Sequence, residues 1–214
     1  MKVLIFGATG SAGGSVVRAC LASPYVEEVR VVVRRPLPLE DAKLRTFVHS
    51  DFLDYSAIAA AFQNIDAIFW CLGISVRQVS NDDYYRITHD FAIAAARTMQ
   101  QESPKAAFVF ISGMSTKLDS RMMWARVKAQ TEQELMQLVG AVCIRPAAID
   151  GVPSASEPEL AKILRPLFRV LRGIRSIYIK GEDLGLAMIE IVREGMRNRI
   201  LENTALRDLA DRLR

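Results

Sequence analysis

Short runs of β-branched and apolar residues alternate along the chain with longer segments in which apolar residues return at three- and four-residue steps. That alternation marks βαβ units built on a parallel sheet. The runs predict strands at Lys2–Phe6, Val29–Val33, Thr46–His49, Ala67–Leu72, Ala107–Ile111 and Ala141–Ile144. Helices are predicted between them near Ala12–Ala22, Ser56–Phe62, Asp82–Gln100 and Trp124–Leu138, and in the first of these Val16, Val17, Cys20 and Leu21 hold helical spacing. Start signals agree: Asp54 precedes one helix as an N-cap, and Ser80 with Asp83 three residues on resembles a capping box with Asp in place of Glu. Strands apolar on both faces need helices on each side of the sheet. The fold class expected is therefore α/β, a Rossmann doubly wound parallel sheet flanked by helices.

After Pro146 the character changes, with Pro153, Pro158 and Pro166 punctuating the chain and further helices predicted at Pro158–Leu171 and Glu182–Gly195. A final short helix follows Leu201-Glu202-Asn203-Thr204. This tail is too short for a domain of its own. It is expected to form a small helical cap beside the carboxyl ends of the strands, where open α/β sheets bind ligands. At roughly 100–200 residues per domain, the chain of 214 residues reads as one domain, a nucleotide-binding core over 1–150 with cap elements over 151–214.

With 50% apolar and 24% charged residues, the composition excludes disorder and fibrous repeats. No apolar run approaches the ~18 residues of a membrane span. The opening apolar residues give way to glycine too soon for a secretory h-region. Cys20, Cys71 and Cys143 lie in apolar surroundings without CxxC spacing, which predicts reduced thiols, a cytoplasmic protein and no metal site. The net charge of +4 is modest and, outside one stretch, unclustered, so a nucleic-acid partner is not expected.

The chemistry begins at Gly7, Gly10 and Gly13, in Phe6-Gly7-Ala8-Thr9-Gly10-Ser11-Ala12-Gly13-Gly14, directly after an apolar strand and opening a helix. Glycines so placed either make a tight turn and nothing more or let backbone approach a pyrophosphate, and the strand-to-helix context favours the second. In that reading Thr9, Ser11 and Ala12 also belong to the dinucleotide site. The end of the second strand discriminates between dinucleotides, because an acid there binds the ribose 2′-hydroxyl and an arginine accepts a 2′-phosphate. Here Val33 is followed by Arg34 and Arg35, so NADP(H) is preferred over NAD(H), unless the pair is a solvated basic turn. Asp51-Phe52 ends the third strand where adenine could be held, and Cys71-Leu72-Gly73 ends the fourth where backbone could line the nicotinamide side. Core packing is the competing role for Phe52 and Cys71.

With these motifs, Ser112 and Lys128 in order, the chain resembles the atypical short-chain dehydrogenase/reductases, in the NAD(P)-binding group that includes the HIV Tat-interacting tumour suppressor and bacterial epimerase-like proteins. The resemblance covers residues 1–150 and more loosely the rest. It implies a Rossmann domain, NADP(H), and in active members a Ser, Tyr and Lys set in which Tyr passes the proton while Lys lowers its pKa. It places Ser112 after the fifth strand and Lys128 on the next helix as the catalytic pair, with Lys128 also on the nicotinamide ribose. The tyrosine's position is held by Trp124. Phenol exchanges a proton, whereas indole N–H is a donor only. Ser112 could instead be a turn residue and Lys128 an exposed helix lysine. Tyr84 and Tyr85 could present a substitute phenol or pack as amphipathic residues, and His49 and His89 have no partner apparent in sequence.

Within Pro158–Gly173, Lys162, Arg165, Arg169 and Arg172 recur at helical steps beside Ile163, Leu164 and Phe168. This cationic row reads as a solvated face, a peripheral membrane contact, a protein contact or a grip on an anionic substrate. Two functions follow. One is an NADP(H)-dependent oxidoreductase or epimerase-like enzyme acting on a small carbonyl or alcohol compound. The other is a noncatalytic NADP(H)-dependent redox-sensing regulator, comparable to the NmrA-like proteins that the chain also resembles. The chain is expected to be a monomer or a dimer.

Overall fold

The computed structural model describes residues 1–153 and 173–214. Its main sheet holds β1 (Lys2–Phe6), β2 (Glu28–Val33), β3 (Leu44–Val48), β4 (Ala67–Trp70), β5 (Ala107–Ile111), β6 (Val142–Arg145) and, from the tail, β9 (Arg199–Glu202). The order is β3-β2-β1-β4-β5-β6-β9, every pairing parallel. The helices are α1 (Ser11–Ala22), α2 (Asn81–Tyr85), α3 (Phe91–Glu102), α4 (Met123–Val139), α5 (Gly181–Arg193) and α6 (Asn203–Asp211), with a 3-10 turn at Ser56–Phe62. This is the Rossmann-like α/β fold that the hydrophobic pattern predicts.

Alternation along each strand divides the core into two layers. Val3, Ile5, Val29, Val31, Phe69, Val109 and Ile144 face α1, α5 and α6. Leu4, Phe6, Val32, Ile68, Trp70, Phe108 and Phe110 face the 3-10 turn, α3 and α4. Both faces of the inner strands β1, β4, β5 and β6 are therefore dry, which is why their sequences read as continuous apolar runs instead of alternating ones. The strand order reverses between β1 and β4, and their carboxyl ends flank a crevice of the kind that holds ligands in such sheets.

Several differences from the sequence reading have local causes. The single helix predicted over Asp82–Gln100 is α2 running through a π-helical segment, Arg86–Asp90, into α3. Ser80 caps it as predicted, its Oγ accepting from Asp83 N at 3.1 Å and donating to Asp83 Oδ2 at 2.8 Å. Asp54 is not the N-cap that the sequence predicts: that position is Tyr55, which makes no side-chain cap, and the Asp54 carboxylate accepts from Ser56 N at 2.9 Å in the turn just before. His89, expected to stand alone, meets Asp90 Oδ1 at 2.8 Å and Glu134 Oε2 of α4 at 3.0 Å, a pairing across 45 positions that sequence does not display. The tail contributes more than a cap: β9 extends the sheet, and β7 (Ala148–Asp150) and β8 (Tyr178–Lys180) form a separate parallel pair. Asn203 ties this pair to the sheet, Oδ1 accepting from Ala147 N and Nδ2 donating to the Arg175 and Tyr178 carbonyls. The helix predicted at Pro158–Leu171 and its row of Lys162, Arg165, Arg169 and Arg172 lie outside the described residues.

Candidate nucleotide-binding site

The crevice is built from the turn that follows β1. Gly7 has φ +79°, and a Cβ there would stand 2.5 Å from the Cys71 carbonyl oxygen, so the turns after β1 and β4 meet backbone to backbone. Gly10 N donates to Gly7 O at 3.0 Å and closes the turn. A Cβ at Gly13 would lie 2.1 Å from Gly7 O, so only glycine lets α1 start this close to the strand. Gly10 caps α1 without a side-chain bond, and no acid occupies the first turn. The amino end of the helix thus presents N–H groups and a partial positive charge, uncancelled by a local carboxylate.

Above this floor is a cleft of about 580 Å³. It is lined by Gly7, Thr9, Gly10, Ser11, Ala12 and Gly13 from the first turn, by Cys71, Leu72 and Gly73 from the turn after β4, and by Arg34. Ten of the predicted site residues are therefore brought together. Ile74, Ser75 and Gln78 also line the cleft and were not predicted. They follow Gly73 in a loop whose only sequence signal is its position between β4 and the Ser80 cap. The cradle of side-chain-free backbone and the helix terminus suit a dinucleotide with its pyrophosphate on α1.

Other predicted residues stand elsewhere. Arg35 is exposed and does not line the cleft. Asp51 accepts from Leu53 N at 3.0 Å, bracing its own turn. Phe52 is buried, stacked on Phe91 at 5.5 Å and edge-on to Phe6 at 6.3 Å, which seats its ring in the core. The Cys71 backbone serves the cleft, while burial pushes its thiol above the ordinary range.

Ser112 and Trp124 share a second cavity of about 500 Å³, lined also by Gly113, Met114, Ser115, Met122, Pro146, Ala147 and Ile149. Ser112 follows β5, its N–H donating to Ile144 O at 2.8 Å. Thr116 Oγ1 donates to Gly113 O at 2.8 Å and lies 3.2 Å from Ser112 Oγ. Because a carbonyl can only accept, the Thr116 proton is committed and the Ser112 proton points to Thr116. Ser112 Oγ therefore meets any ligand as an acceptor. Lys128, one helical turn beyond Trp124 on α4, donates to Ser112 O at 2.7 Å and Ile111 O at 3.3 Å, with its ammonium 5.9 Å from the Phe110 ring centroid. Desolvation pulls its pKa down to about 8, against a smaller opposing effect of Glu132. The Trp124 indole N–H donates to Met122 Sδ at 3.2 Å. Neither Tyr84 nor Tyr85 lines this cavity: Tyr84 is buried, and Tyr85 stacks on His89 at 4.7 Å.

Residues 7–138 match the family described as NAD(P)H-binding, a span that includes both turns lining the cleft, Ser112 and Lys128. The chain belongs to this NAD(P)H-binding family. It is 28% identical over 170 residues to the protein fmp52, mitochondrial, of Aspergillus clavatus, covering 76% of this chain and 72% of the relative. It is 26% identical over 140 residues to rat HTATIP2, covering 64% of this chain and 57% of that protein. In fold it is similar to DesIV, a dTDP-glucose 4,6-dehydratase of Streptomyces venezuelae solved with NAD, with TM-score 0.71 and 19% identity over 100% of this chain and 80% of that one. The atypical short-chain dehydrogenase/reductase resemblance is borne out at this level, as an NAD(P)-binding domain on an epimerase-like fold.

The expected cytoplasmic location is corrected by these relatives, since the Fmp52 proteins of Aspergillus clavatus, Eremothecium gossypii and Saccharomyces cerevisiae are named mitochondrial. Free thiols do not separate one reducing compartment from another. Among the described residues no helix is long and apolar enough to cross a membrane.

Proposed function

We propose that this NAD(P)H-binding protein is an NADP(H)-dependent oxidoreductase that interconverts a small alcohol and its carbonyl compound. The observation that carries the reading is the placement of Arg34 in the wall of the same cleft whose floor is the Gly7–Gly13 turn. A guanidinium there pairs with a 2′-phosphate, and no carboxylate at the end of β2 competes for a 2′-hydroxyl. Arg35, one residue on, adds positive charge outside the wall. Asp51 and Phe52 support the adenine end through the turn that they brace. Cys71, Leu72 and Gly73 supply backbone along the nicotinamide side.

A dinucleotide held by the Gly7–Gly13 turn and Arg34 would supply the hydride acceptor for the carbinol carbon. The chain's own part is to hold the alcohol. Ser112 Oγ accepts from the substrate hydroxyl and holds it in place, Lys128 braces the end of β5 from outside the cavity lining by donating to the Ser112 carbonyl, and the hydroxyl proton leaves to a cavity water as hydride departs. Carbonyl reduction runs in reverse, with the oxygen taking its proton from a cavity water, because Ser112 Oγ offers it no donor. Trp124 walls the pocket and exchanges no proton. The noncatalytic reading, an NADP(H)-dependent redox sensor, is favoured by that indole and by the absence of Tyr84 and Tyr85 from the cavity lining.

Turnover separates the two. Wild-type protein should consume NADPH with at least one member of a carbonyl panel, and Trp124→Tyr, which restores a phenol beside Ser112 and Lys128, should raise that rate. Silence from both proteins, with a partner or membrane surface binding differently in NADP⁺ and NADPH, would decide for the sensor, because only differential affinity lets a ligand switch a state.

A further inference from the structure

The cavity beside Ser112 has a chemical character of its own. Met114, Met122, Trp124, Pro146, Ala147 and Ile149 give it thioether, indole and aliphatic surface, and among the described residues lining it none is charged. Its side-chain polar groups are hydroxyls, those of Ser112 and Ser115. The Trp124 N–H is taken by Met122 Sδ, so Trp124 offers the cavity its ring and no donor. Met114 and Met122 are 47% and 59% exposed, large apolar side chains left in water at the mouth. A volume of about 500 Å³ lies within the usual span for small ligands. Charged ligands need a cation or several donors to replace lost hydration, and the described residues of this wall provide no cation and, among side chains, only the Ser115 hydroxyl as a donor. A hydroxyl, in contrast, finds an acceptor in Ser112 Oγ.

We propose that the substrate is a neutral, predominantly apolar secondary alcohol, its hydroxyl donating to Ser112 Oγ and its body packed against Trp124, Met114 and Met122. The inference rests on the oxidoreductase reading above and gives that site its substrate class. It also separates this chain from similar folds solved with sugar nucleotides, such as MoeE5 in complex with UDP-glucose and NAD. Among the described residues of this lining none offers an anionic diphosphate a counter-charge; Lys117 and Arg121 line the adjoining cavity.

The two tryptophans make the test direct, because Trp70 is fully buried in the core and Trp124 borders the cavity. Full-length protein, with and without saturating NADP⁺, is titrated with α-methylbenzyl alcohol and separately with UDP-glucose, by tryptophan fluorescence and by calorimetry. The alcohol should quench saturably, with affinity at least about tenfold above that of UDP-glucose. Trp124→Phe should abolish the quench while calorimetry still detects the alcohol. Met114→Asp, at an exposed loop position, should weaken the alcohol by roughly tenfold by placing a carboxylate in the apolar wall. Equal or tighter binding of UDP-glucose, or no saturable signal from the alcohol in wild-type protein, overturns the assignment. Alcohol binding without NADPH formation would uphold the pocket and overturn the oxidoreductase reading, and absence of heat from NADP⁺ would likewise fall on that reading alone.

Discussion

Gly13→Ala probes the closest approach in the nucleotide site. The new methyl group would begin 2.1 Å from Gly7 O and 2.6 Å from Gly7 C, where real contacts essentially never fall below 3.0 Å. The turn and the start of α1 must therefore separate by about 1 Å, and forcing an extra methyl into packed backbone costs about 1–3 kcal/mol. For a chain of this size each kcal/mol lowers Tm by about 2–4 °C. The effect on binding should be larger in proportion. An N–H to phosphate bond near 2.9 Å that lengthens by about 1 Å is no longer a hydrogen bond. Losing one such charge-assisted bond removes ~1.5–3 kcal/mol, roughly ten- to a hundredfold in affinity. Gly10→Ala is the graded control for stability, since its methyl would meet only Gly7 O, at 3.3 Å. Differential scanning calorimetry and NADP⁺ titration of both variants give the comparison. A folded Gly13→Ala protein with wild-type affinity would refute the claim that this turn cradles the phosphates.

Arg34→Ala combined with Arg35→Ala should weaken NADP(H) by roughly ten- to a hundredfold while leaving NAD(H) nearly unchanged, as read by parallel calorimetric titrations. Lys128 predicts a pH dependence. Its folded pKa of about 8 lies below the ordinary 10.5, so between these values the unfolded chain binds a proton that the native one does not, and stability rises with pH across that window. Denaturant titrations should show wild type gaining on the order of 2–3 kcal/mol over Lys128→Met from the lower to the upper value, and a constant difference would contradict the buried ammonium. On the same helix, Glu132 is buried and holds Arg145 through bonds of 2.9 and 2.6 Å. Glu132→Gln should cost about 1–3 kcal/mol, since Arg145 keeps Glu202 at 3.2 Å, and Glu132→Leu with Arg145→Met should cost less than either change alone, because no buried charge is then left unpaired.

The parts of this protein that were legible in its sequence are those set by local period and local backbone demands. β1 and β5 run over the predicted residues, and α1 begins one residue early, because burial on both faces makes a strand visible and a glycine turn marks the helix start. The Gly7, Gly10 and Gly13 spacing predicted the cleft floor for the same reason. What was missed depends on partners distant in the chain. β9 is a short edge strand, largely exposed, whose Arg199-Ile200-Leu201-Glu202 carries no strand pattern until β6 lies beside it. β7 and β8 have three residues each. Ser75 and Gln78 enter the cleft through the path of a loop, and Phe52 leaves it because Phe6 and Phe91 converge on its ring. His89 acquires Glu134 only when α4 packs against the π-helical segment. The location was misjudged because thiol chemistry reports redox state and not address.

The most direct test is a calorimetric comparison of NADP⁺ and NAD⁺ on wild-type protein under identical salt. The guanidinium in the cleft wall predicts saturable heat from both with NADP⁺ tighter by about tenfold or more, whereas no heat from either, or equal affinity for the two, would contradict it.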